Sequence, residues 1–157
     1  MKVRLVLFFS LLFFQFFSQN LITEGKYIVD SSGDQVLLRG FNFGGWMLQE
    51  PYMFQFSGAA ISQTDFRNKL INFIGEDNTN EFYDVWLENF ITEADVEALS
   101  NHGFNSIRLP MHYNLFTLPT HLEPNAGENT WLDIGFDLVD NLLDWCQQNN
   151  IYLILDL

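Results

Sequence analysis

The sequence predicts an α/β protein built on a parallel sheet, and three observations carry that prediction. Short apolar strands alternate with helix-patterned stretches along the chain, the order expected of strand–helix–strand crossovers. The run at residues 151–157 (IYLILDL) is apolar, β-branched at Ile151 and Ile154, follows an amphipathic stretch and carries one acid, Asp156, as a buried parallel strand would. No G-x-G-x-x-G follows the first candidate strand and no phosphate-binding loop occurs anywhere, which argues against a nucleotide-binding sheet. Periodicity alone leaves an open doubly wound sheet and a (β/α) barrel both standing. In either, chemistry sits just past the carboxyl ends of the strands.

The amino-terminal stretch reads as an export signal. Lys2 and Arg4 supply a positive start, and Leu5 to Phe17 is apolar except at Ser10 and Gln15. That run is shorter than the roughly 20 residues a membrane span needs. Ser18, Gln19 and Asn20 offer a cleavage region without the A-x-A pattern. Residues 1–19 are therefore expected to be a signal peptide and the mature chain to be secreted, in the periplasm or outside the cell, with no membrane attachment after cleavage.

Charge narrows the partners. The 157 residues carry 7 basic and 20 acidic side chains, a formal net charge of −13; loss of Lys2 and Arg4 makes it more negative still. Nucleic acid and anionic membranes are poor partners for such a surface, whereas a neutral glycan is compatible. Cys146 is the single cysteine, on an apolar helix face, and is expected to be a packed thiol. No disulfide framework, metal-type spacing or cofactor motif appears.

The elements follow in order. Lys26–Asp30 and Gln35–Arg39, separated by Ser31-Ser32-Gly33-Asp34, predict a β-hairpin. Residues 40–43 (GFNF) are the first core strand, ended by Gly44-Gly45. From Thr64 to Gly103 three apolar stripes predict three helices: Phe66, Leu70 and Phe73; then Phe82, Trp86 and Phe90; then Val96 and Leu99. The third carries Thr92 as N-cap with Asp95 three residues on, and Gly103 as stop. Residues 106–110 (SIRLP) form a strand closed by proline. The Pro- and Gly-bearing stretch from Thr117 to Thr130 is a loop, and a helix from about Ile134 to Gln148 precedes the final strand.

Arg108 is the leading functional candidate. Alternation along its strand turns Ile107 and Leu109 toward a helix layer and Arg108 the opposite way, toward the lumen if the sheet is a barrel. A cation there requires a carboxylate partner, either in a structural ion pair or in an active site. The loop after Gly45 crowds Trp46, Tyr52, Phe54 and Phe56 around Glu50. Rings beside an acid suit sugar recognition, in which a pyranose lies on a ring and a carboxylate accepts its hydroxyl hydrogen bonds; packing beneath a domain is the competing role. His112 and Tyr113 fall at the same strand-end edge. His102 and His121 suggest no metal site.

Three segments, LLRGFNFGGWMLQEP (37–51), GFNSIRLP (103–110) and LLDWCQQNNIYLILDL (142–157), together resemble glycoside hydrolase family 5, the cellulase family, in particular its exo-1,3-glucanase-like and endoglucanase-like members. The resemblance implies an α/β chain forming the N-terminal part of a (β/α)8 TIM barrel, with about three of its strands present and the barrel incomplete. It implies a retaining mechanism run by two glutamates, acid/base and nucleophile, on later strands, so that both catalytic glutamates are expected beyond Leu157. It assigns Arg108 to the arginine that hydrogen-bonds the nucleophile, Glu50 and Trp46 to a glycone-lining motif, and Asp156 to the acid ending the third strand. His112 and Tyr113 are further candidate substrate contacts.

The expectation is an exported glycosidase hydrolysing O-glycosidic bonds of a β-glucan or related polysaccharide, with residues 20–157 a partial catalytic domain that is inactive alone. Its partner is the polysaccharide or oligosaccharide substrate, and no cofactor or metal is implied. A non-catalytic glycan-binding protein and an inert gene remnant are the alternatives.

Overall fold

The computed structural model describes residues 21–56 and 58–157; the expected signal peptide at 1–19 lies outside the described residues. Two compact units divide at Leu37/Leu38.

The first unit is a small antiparallel hairpin. Strands β1 (Ile22–Glu24) and β2 (Tyr27–Val29) pair with Glu24 opposite Tyr27. Gly25, at φ 60°, occupies the tight turn, a left-handed conformation that costs glycine little. The expected pairing of Lys26–Asp30 with Gln35–Arg39 is formed in part, across the turn at Ser31–Asp34. After the second turn, Gln35 bridges Val29 antiparallel and the Val36 N–H donates to the Ile28 carbonyl. The stronger turn is Gly25-Lys26, because a two-residue connection fixes register where a longer loop does not.

The second unit holds the sheet. Strands β3 (Gly40–Asn42), β4 (Ser106–Pro110) and β5 (Tyr152–Asp156) lie side by side in chain order, all parallel. Asn42, Arg108 and Ile154 are level across the three strands, and Pro110 is level with Asp156. Gly40 is required where β3 meets β4: a Cβ there would lie 2.6 Å from the Ser106 hydroxyl and 3.2 Å from its carbonyl oxygen.

Between β3 and β4 run α1 (Gln63–Ile74), α2 (Glu76–Asn89) and α3 (Glu93–Asn101). Ser62 caps α1 by accepting the Asp65 N–H. Thr92 and Asp95 close a reciprocal capping box on α3, and Gly103 follows that helix at φ 81°, as the sequence predicts. Helix α4 (Asp133–Gln148) then leads to β5. Val96 of α3 and Leu142 and Cys146 of α4 cluster with Ile107 and Leu109, all five buried. Burial of the Cys146 thiol pushes its pKa up to about 11, as expected of a packed cysteine. The loop from Thr117 to Thr130 is ordered from within: Thr117 bridges Trp131, and the Glu123 carboxylate accepts from the Thr130 N–H and hydroxyl. Among the described residues no helix is long and apolar enough to cross a membrane.

Candidate active-site face

The strand alternation that buries Ile107 and Leu109 turns Arg108 onto the opposite, open face of the sheet, where its side chain is 49% exposed. One guanidinium nitrogen, Nη1, donates to Asn42 Oδ1 at 2.9 Å. The other, Nη2, donates to Asp156 Oδ2 in an ion pair. The arginine is therefore held from both flanking strands. Asp156, 44% exposed, sits at the end of β5, and its backbone carbonyl accepts from the Met111 N–H at 2.8 Å, which ties the ends of β4 and β5 together. The carboxylate expected for Arg108 lay beyond Leu157; the structure supplies one within the chain, because a parallel register with Arg108 opposite Ile154 brings Asp156 diagonally within reach.

Asn42 was not among the candidates read from the sequence. Its position between Phe41 and Phe43 places it on Arg108's face by alternation, but only the β3–β4 register shows that the two residues are neighbours.

The loop after β3 divides its aromatic residues. Trp46 is 2% exposed and its indole N–H donates to the Leu87 carbonyl at 2.8 Å. The ring packs in the core, and the residue also borders the groove that His112 and Tyr113 line. Phe54 and Phe56 are likewise used in packing, Phe56 stacked on Phe66 of α1 at 4.3 Å and Phe54 edge-on to Trp86 of α2 at 5.2 Å. Tyr52 remains 68% exposed, and its hydroxyl lies 3.4 Å from Glu50 Oε2. Of the aromatic and acidic loop, Tyr52 and Glu50 are thus the pair available to a ligand.

The His112 and Tyr113 rings meet at 4.6 Å, tilted by 31°, and line a groove of about 760 Å³ between α1, α2 and the loop after β4. Arg67 lies 4.7 Å over the Tyr83 ring in the same groove, and Tyr83 donates to Gln49 at 2.9 Å. Burial raises the Tyr83 phenol pKa, with Arg67 opposing. The structure therefore joins Arg108 directly to Asp156, bonds Glu50 to Tyr52, and sets His112 and Tyr113 on a groove wall. Among the described residues no group of three or more His, Cys, Asp or Glu side chains could hold a metal ion.

A parallel sheet wound strand by helix, with a polar cluster at its carboxyl-terminal end, has the geometry of the opening units of a (β/α)8 barrel. A rutinosidase structure from Aspergillus niger shares this fold: TM-score 0.54 at 20% identity, over 74% of this chain and 31% of that one. The profile described as Cellulase (glycosyl hydrolase family 5) matches residues 61–157, and the chain belongs to that family. A beta-xylosidase of Phanerodontia chrysosporium is 34% identical over 134 residues, covering 85% of this chain and 26% of that protein. Glucan 1,3-beta-glucosidase 2 of Saccharomyces cerevisiae is 25% identical over 155 residues, 87% of this chain and 27% of that protein. The chain thus spans about a quarter of the length of these relatives.

Proposed function

We propose that the full-length protein is an exported, retaining β-glycoside hydrolase acting on a β-glucan or a related polysaccharide. Residues 1–19 serve as its signal peptide and residues 20–157 form the first part of its catalytic domain. The observation that carries this reading is the Arg108 fork, held on the open face at the carboxyl-terminal end of the sheet in a chain of this family.

Retaining glycosidases set two carboxyl groups about 5 to 5.5 Å apart, one neutral to protonate the leaving oxygen and one ionised to attack the anomeric carbon. Two such groups oppose each other's ionisation. A guanidinium beside one of them lowers its pKa by roughly 1 to 3 units and, being planar, also sets its direction. Arg108 takes that role toward a nucleophile on a later strand, where the acid/base is also placed. Glu50, bonded to Tyr52, and the His112–Tyr113 pair contact the glycan. Glu50 and Asp156 are not assigned as the catalytic carboxyls, which the family resemblance places on later strands.

The test is expression of the complete gene product and assay on β-1,3- and β-1,4-glucans, with the first-formed anomer read by NMR. Release of the β-anomer is expected. Release of the α-anomer would overturn the retaining mechanism, and binding without hydrolysis would move the protein to the glycan-binding class. Residues 20–157 alone are expected to be silent in the same assay.

A further inference from the structure

We propose that Asn42 and Asp156 are positioning residues that aim the Arg108 fork; the inference rests on the hydrolase reading above and deepens it. A half-exposed arginine has a long, rotamer-rich side chain, and fixing it requires contacts that outweigh the entropy lost. Here the contacts come from both sides: Asn42 on β3 takes one terminal nitrogen at 2.9 Å and Asp156 on β5 takes the other. Asn42 is level with Arg108 across the β3–β4 ladder, so their side chains leave the sheet together. On the other flank the level residue is Ile154, which has no polar atom to offer, and the contact is made diagonally by Asp156. A guanidinium has five N–H donors; two are engaged by these neighbours, leaving the remainder for a carboxylate over the face.

Gly44 leaves the space beside the Asn42 amide: a Cβ at that position would fall 2.8 Å from Asn42 Nδ2 and 2.9 Å from Met53 Cε. Asn42 also contributes no charge. Asp156 does, and its negative charge subtracts from the field Arg108 can exert on a nucleophile. A carboxylate at that position therefore serves direction at some cost in field, and the two contributions have opposite signs. The titratable groups on this face of the flanking strands are Asp156 and Tyr152 of β5, while β3 offers none.

That opposition makes the inference testable in the complete gene product. Asp156→Asn should lower kcat by about tenfold or more, with a smaller change in KM, because misaiming a catalytic group by a fraction of its reach can cost up to a hundredfold. The same substitution removes an anion near the nucleophile, so the acid limb of the kcat/KM profile should move to lower pH. Asn42→Ala should lower kcat similarly without moving that limb. Asp156→Glu, which keeps the charge, should leave the limb in place and controls for folding. Wild-type kcat and an unmoved acid limb in Asp156→Asn would overturn the inference while leaving the hydrolase reading intact. If the wild-type protein hydrolyses no glycan, the hydrolase reading fails. The fork is then read by ¹⁵N NMR of arginine side chains: separate Arg108 Nη–H signals that merge in Asp156→Asn support a fixed fork, and signals already merged in the wild type refute it.

Discussion

The two faces of the β3–β4–β5 sheet are made by alternate residues of the same strands, yet they do opposite things. On one face Ile107 and Leu109, each 0% exposed, are sealed beneath α3 and α4. On the other, Asn42, Arg108 and Asp156 form a polar cluster open to solvent. The contrast shows how one short sequence, SIRLP, can serve a packed core and an open polar face at once: the pleat separates the two by a single residue step. Stability should therefore follow the odd-numbered positions of β4, and chemistry the arginine between them.

Substitution on the sealed face should have the larger effect on folding. Leu109→Ala is expected to cost about 2 to 5 kcal/mol, from lost burial and the cavity left behind. Ile154→Ala, on the open face and already exposed, should cost under about 1 kcal/mol. Denaturant unfolding of both variants in the complete protein checks this; equal losses would erase the distinction between the faces.

At the β3–β4 contact, Gly40→Ala should cost about 1 to 3 kcal/mol through overpacking, since its Cβ would meet Ser106 at 2.6 Å. Ser106→Ala in the same chain should recover part of the loss by removing the hydroxyl, and a double variant no more stable than Gly40→Ala would shift the blame to the Ser106 backbone. A smaller effect is expected behind the sealed face, where Thr92→Ala opens the α3 capping box at a cost of about 1 kcal/mol. The midpoint of thermal unfolding reads it.

Cys146 sharpens the same contrast through pH. Burial raises its folded-state pKa from 9.0 to about 11, so the folded state holds the proton longer than the unfolded chain. This contribution to stability is complete below pH 9 and declines as the pH rises toward 11. Cys146→Ala should flatten that decline, and native protein should resist thiol alkylation at pH 8. Rapid alkylation without unfolding would show the thiol to be accessible.

What the sequence revealed tracks how local the determining interactions are. The α3 capping box, the strand at 106–110 and the outward turn of Arg108 depend on residues a few positions apart, so spacing and alternation suffice to find them. The hairpin across Ser31–Asp34 is formed in part, and the pairing across Gly25-Lys26 was missed because two turns fall within one short segment. The setting of Trp46 was open for a related reason: its loop suits a sugar platform or a packed ring alike, and the Leu87 carbonyl that takes its N–H lies 41 residues along the chain. Asn42 was missed because its importance lies in a neighbour 66 residues away. Period-2 patterning assigns a face; it cannot assign a register between strands that long helices separate.

We propose that the open face is the catalytic side of the complete barrel and that Arg108 acts there on a carboxylate. Steady-state kinetics of Arg108→Lys in the complete gene product test it most directly. Loss of a charge-assisted hydrogen bond of about 1.5 to 3 kcal/mol predicts a kcat lower by roughly ten- to a hundredfold, with KM little changed and the acid limb of the pH profile raised as the nucleophile's pKa rises. A lysine variant with wild-type kcat and an unshifted acid limb would contradict the account and reduce Arg108 to a structural ion pair with Asp156.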